Sequence, residues 1–114
     1  MSTTRKRLAN RRRLIEFADR QLGAARMMPT DDAGYLIPSL WMSLLIALNE
    51  ARRAYRLAGF SLLAGRVGFL HRRVLNLGCG ERRGDPVRVE VRSMWAFFDR
   101  LNEATRLACK EGNE

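Results

Sequence analysis

A length of 114 residues with 46% apolar content is that of one domain able to bury a core, and it excludes wholesale disorder. Basic residues outnumber acidic ones by 21 to 12, a formal net charge of +9, and every basic residue except Lys6 and Lys110 is arginine. Such an excess favours anionic partners, and the planar guanidinium fork suits phosphate or carboxylate.

The first predicted element is a helix from about Thr3 to Met28, with Leu8, Ile15, Ala18, Leu22 and Ala25 at helical spacing. Its opening is strongly basic: Arg5, Lys6, Arg7, Arg11, Arg12 and Arg13 place six charges in nine positions. On a helix Arg5 and Arg12 lie along one side, with Lys6 and Arg13 along the neighbouring one, so charge wraps the first turns. A basic segment of this kind, residues 1–13, can track phosphates and can stay disordered until it meets them. No apolar stretch follows the arginines, so no export signal is read. The expected setting is the cytoplasm, with Cys79 and Cys109 reduced. Pro29 and the turn residues Thr30 to Gly34 close the helix.

Ser39 is the expected N-cap of a second helix reaching about Ala58. This helix begins densely apolar (Leu40, Trp41, Met42, Leu44, Leu45, Ile46, Leu48) and then turns basic at Arg52, Arg53 and Arg56. A helix apolar on most sides at one end belongs at the centre of the core there. Ala33 to Asn49 carries no charge, but Gly34, Pro38, Ser39 and Ser43 interrupt it, and Leu40 to Leu48 would cover only about half a bilayer. A core helix is expected, and a membrane span is not. Arg52, Tyr55 and Arg56 read as one helical face, an aromatic between two guanidinium groups placed to stack on a base. A seat at the edge of the core is the alternative for Tyr55.

Gly59 offers a break before the third helix. There Phe60, Leu63, Val67, Leu70, Val74 and Leu77 alternate spacings of three and four, a seam for packing against other helices. Gly65 and Gly68 weaken that helix but permit a close approach. A glycine-rich turn, Gly78 to Gly84, comes next. In the fourth segment Val87, Val89 and Val91 alternate with charged residues in the manner of a strand, while Asp85 and Pro86 suit a helix start. A lone strand has no evident partner elsewhere in the chain, so a helix from Pro86 to Lys110 is the first expectation. A short extended segment near 87–92 is the second. Trp95, Phe97 and Phe98 cannot all point inward, so at least one ring belongs at a boundary or a subunit interface, and a homodimer is one candidate assembly.

Val74-Leu75-Asn76-Leu77-Gly78-Cys79-Gly80 resembles the first motif of Rossmann-type S-adenosylmethionine methyltransferases, which implies a strand and a glycine turn that meets the cofactor. The resemblance stops there. Asn76 stands where the family has an acid, and Val87 follows Gly80 too closely to leave room for the required helix. A glycine-containing helix end explains the same residues, and no cofactor is expected. His71 is the only histidine, and Asp31-Asp32 reads as a turn, so neither a metal centre nor a nucleophilic triad is expected.

Four helices with short connections predict one all-α domain over residues 1–114, a small antiparallel bundle. In an up-down-up-down arrangement the start of the first helix meets the second connection. Arg5, Lys6, Arg7, Arg11, Arg12 and Arg13 then gather near Arg52, Arg53 and Arg56, with Arg72, Arg73, Arg82 and Arg83 at the opposite end. No helix-turn-helix is evident, because the third helix is apolar where a recognition helix would be polar. The expected function is non-enzymatic binding of nucleic acid through arginine–phosphate contacts, with no small-molecule substrate. The alternative is an inhibitor, adaptor or assembly subunit that meets an acidic protein surface.

Overall fold

The computed structural model describes residues 2–79 and 89–112, with side chains over 6–76 (Pro38 apart) and 89–103. Among the described residues four α-helices follow one another: α1 (Ser2–Arg26), α2 (Trp41–Leu57), α3 (Ser61–Cys79) and α4 (Val91–Gly112). No strand occurs among the described residues. The chain is an all-α four-helix bundle in which α2 packs closely against both α1 and α3, while α4 meets α3 more loosely. No described helix is long and apolar enough to cross a membrane.

The core follows the predicted apolar spacing in the middle of α1 and α3 and draws on the apolar half of α2. From α2 come Leu44, Leu48, Ala51 and Tyr55, from α1 Ala18 and Ala25, and from α3 Val67, Leu70 and Val74. Val91, Met94, Trp95 and Phe98 of α4 close the other side. Of the three neighbouring rings of α4, Trp95 and Phe98 are buried edge to face and Phe97 is the one left at the boundary. At the ends the seams fail. Leu8 is 61% exposed, because α1 outruns its neighbours. The Arg11 guanidinium sits 5.0 Å from the ring of Phe60, in the connection between α2 and α3. Ser2 to Asn10 therefore extend past that connection, in a molecule 57 Å long and 31 Å wide.

Two boundaries differ from expectation. Ser39 does not cap α2; a single 3-10 turn (Pro38–Leu40) leads in, and Leu40 holds the cap position with no side-chain hydrogen bond. Nor is the start of α2 buried on all sides, since Met42 and Ile46 face outward. The far end of α2 is a Schellman turn. Phe60 N–H bonds the Tyr55 carbonyl at 2.9 Å, Gly59 N–H bonds Arg56 at 3.1 Å, and Gly59 takes the required left-handed φ of +91°.

The helix expected from Pro86 starts instead at Val91, and Val89-Glu90 is extended. Its partner is the turn between α1 and α2. Asp31 Oδ1 accepts from Ala33 N–H and Tyr35 N–H and folds that turn back, so that Thr30 bridges Leu36. Leu36 N–H then donates to Val89 at 2.8 Å, and Val91 N–H donates to the Gly34 carbonyl at 3.1 Å. The extended segment was not partnerless: the partner was a loop. Of the predicted turn Gly78 to Gly84, Gly78 and Cys79 are the last residues of helix α3, and the rest of it, with the Asp85-Pro86 start, lies outside the described residues.

Candidate anion-binding surface

Arg7, on the overhanging part of α1, and Arg11, Arg12 and Arg13, which follow it, are all exposed. Only the backbone of Arg5 is described, within the first turns of the same helix. Arg11 stacks on Phe60, which fixes this arginine run against the α2–α3 connection, at the end where Arg56 also sits. Among the described residues the one carboxylate ion pair joins Arg26 and Asp99, and none of the α1 run takes part in it. The Arg26 guanidinium donates two bonds to that carboxylate while lying 4.6 Å from the Trp95 ring, so this arginine ties α1 to α4.

Around α2 the predicted set divides. Arg52 and Arg56, one turn apart, face α3, whereas Arg53 points to solvent on another side. Tyr55 leaves the candidate set. Its residue is 3% exposed and its hydroxyl donates to the Asp19 carboxylate of α1, so no ring face is free for a base. Burial first, and then the bond to Asp19 and its charge, hold the phenol proton well above the ordinary range. Adjacent helical positions point about 100° apart, and α2 lies between two helices. Arg56 therefore reaches α3 while Tyr55 reaches α1.

Arg52 and Arg56 line an open groove of about 490 Å³ with Ser61, Ala64, Gly65, Gly68, His71 and Arg72 of α3. Arg72 was expected at the opposite end of the bundle. It sits instead near the middle of α3, which runs antiparallel to α2 and brings it to the same hollow. The small residues form the floor. A Cβ on Gly68 would come within 3.0 Å of Arg52 Cδ, whereas one on Gly65 would meet nothing within 4 Å. Arg52 Nη2 donates to Asn49 Oδ1 at 2.8 Å, a neutral partner. His71 has a lowered pKa, first from burial and second from the Arg52 charge, so at neutral pH its ring is uncharged. No carboxylate lines the groove among the described residues.

Sequence reasoning missed this groove although its parts were visible. Ser61, Gly65, Gly68 and Arg72 fall at spacings of four, three and four, one face of a helix. What was missing was the knowledge that this face meets Arg52 and Arg56. A second hollow of about 380 Å³ lies between α3 and α4, where Arg73 and Arg100 border Phe97. The Phe97 ring is 6.0 Å from that of Phe69, and both are partly exposed. No group of three metal-ligating side chains occurs among the described residues. No protein-family model matches the chain, and no curated protein and no solved structure is similar to it.

Proposed function

We propose that this chain is a non-enzymatic accessory or regulatory factor of the cytoplasm that holds nucleic acid through arginine–phosphate contacts, with weak sequence preference. The observation that carries this reading is an exposed arginine surface without carboxylate partners among the described residues: Arg7, Arg11, Arg12 and Arg13 on α1, and Arg53 and Arg56 on α2. Charges left unneutralised by the fold are free to displace the counterions of a phosphate backbone, which is the main source of sequence-independent affinity. Arg5 shares the first turns of α1 and belongs to the same set by position. Binding of a generic duplex and of a single strand, measured at two salt concentrations, tests the reading. Affinity should fall steeply as salt rises, and a chain that binds neither strand at low salt, or binds without salt dependence, refutes it.

A protein partner is the second reading, and one observation favours it: the half-exposed Phe69–Phe97 pair with Arg73 and Arg100 beside it. Aromatic anchors ringed by arginine are the usual makings of a binding hot spot for an acidic surface. Purification separates the two, since strong absorbance at 260 nm in the purified material accompanies nucleic acid and a stoichiometric polypeptide accompanies the alternative.

A further inference from the structure

We infer that the groove between α2 and α3 is a specific phosphate-binding site, in which Arg52, Arg56 and Arg72 grip the anion and the glycine floor admits the group that carries it. The inference deepens the arginine–phosphate reading and takes its ligand class from it. Three features of the groove carry it. Arginines from two helices line one concavity with no acid in its lining among the described residues, a repulsive arrangement that an anion relieves. The hollow is built into the helix packing: Gly68 clears the path of Arg52 across α3, and Gly65 leaves open space where any other side chain would stand. Its volume of about 490 Å³ falls inside the range of roughly 300–1,000 Å³ found for ligand clefts.

The chemistry of the lining narrows the ligand. A planar carboxylate satisfies one arginine fork, or two in its own plane. Three arginines drawn from two different helices do not share one plane, and they suit a tetrahedral group with three terminal oxygens. His71, uncharged at neutral pH, adds a ring N–H that can donate to the same group, and the Ser61 hydroxyl stands at the mouth. Arg53, on the outer side of α2, and Arg73, in the other hollow, take no part.

Gly65 gives the decisive variant. Gly65→Leu fills the hollow, keeps every arginine, and replaces a poor helix former by a good one, so the fold is retained. Titration calorimetry with pyrophosphate at low ionic strength should show wild-type binding, and Gly65→Leu should weaken it by about tenfold or more. Arg56→Gln and Arg72→Gln should each do the same, while the charge-matched control Arg20→Gln, on the outer face of α1, should stay within about twofold. Circular dichroism on each variant confirms the helix content. Wild-type protein that ignores pyrophosphate, or Gly65→Leu that binds it as well as wild type, overturns the site.

A labelled single strand run in parallel distinguishes the source of the phosphate. If Gly65→Leu loses both ligands, the groove holds the backbone of a strand. If it loses pyrophosphate alone, the groove serves a small phosphate compound and the strand binds elsewhere. Wild type that binds the strand but not pyrophosphate sinks the groove and leaves the general arginine–phosphate reading standing.

Discussion

Among the described residues, Tyr55 and His71 are the two side chains whose surroundings most shift their chemistry, and each makes a separate claim. The Tyr55 hydroxyl is buried against α1 and donates to the Asp19 carboxylate. Tyr55→Phe should lower stability by about 1.5 kcal/mol, the lower end for a bond to a charged group because Asp19 can rehydrate. Urea denaturation would measure it, and the phosphate affinity should not change, since the ring lies on the far side of α2 from the groove. His71 has a lowered pKa in the folded chain, from burial and then from Arg52, with Arg56 across the groove and Arg72 next in sequence as its other charged neighbours. The unfolded chain thus takes up the proton more readily, and stability should fall as pH drops through about 6.5, the ordinary histidine value. His71→Gln should flatten that part of the profile. Anion binding should move the same pKa upward, which a proton NMR titration with and without pyrophosphate would show. The sequence made the charges plain but not their company. Positions 52, 55 and 56 looked like one face until the two helices flanking α2 took different members of it.

At the scale of elements, helix count and helix middles were legible because apolar spacing dictates which side is buried, whatever the partner. Ends were less so. Ser39 has a capping side chain, yet Pro38 imposes its own φ and a 3-10 turn carries the chain into α2 instead. Gly59 was readable as a break, and its left-handed φ shows why: a residue with a Cβ is strained there. Gly59→Ala should cost about 1–2 kcal/mol and shift the thermal midpoint down. The extended stretch at Val89 and Glu90 was invisible as a paired element, because its partner, the Asp31 turn, carries no strand pattern of its own. Asp31→Ala removes the acceptor for two backbone N–H groups and should loosen that turn together with the start of α4. Hydrogen exchange at Leu36 and Val91 would report it, and unchanged protection at both amides would mean that the clasp does not depend on the turn.

For the whole molecule, composition pointed to a basic binder and the fold adds where the positive charge collects. With a net charge of +9 and a single carboxylate ion pair among the described residues, self-repulsion is largely uncompensated. Moderate salt should therefore raise the melting temperature even as it weakens the proposed nucleic-acid binding, because screening acts on both. A melting temperature indifferent to salt would mean that the arginines stand too far apart to repel. The groove was beyond the reach of the sequence for a related reason. Its floor lies on α3 and two of its arginines on α2, and only the register of their packing sets Gly68 opposite Arg52.

Helix α1 runs on past the connection between α2 and α3 for the nine residues before Arg11. Over that length its peptide groups lean on one another and not on α2 or α3, so they should trade protons for deuterium at the pace of an isolated helix rather than of the global fold. A polyanion laid along the tip would slow that trade there first. The earliest mark of a bound partner would thus be a gain of order at one extremity, read amide by amide, before anything in the hydrophobic interior responds.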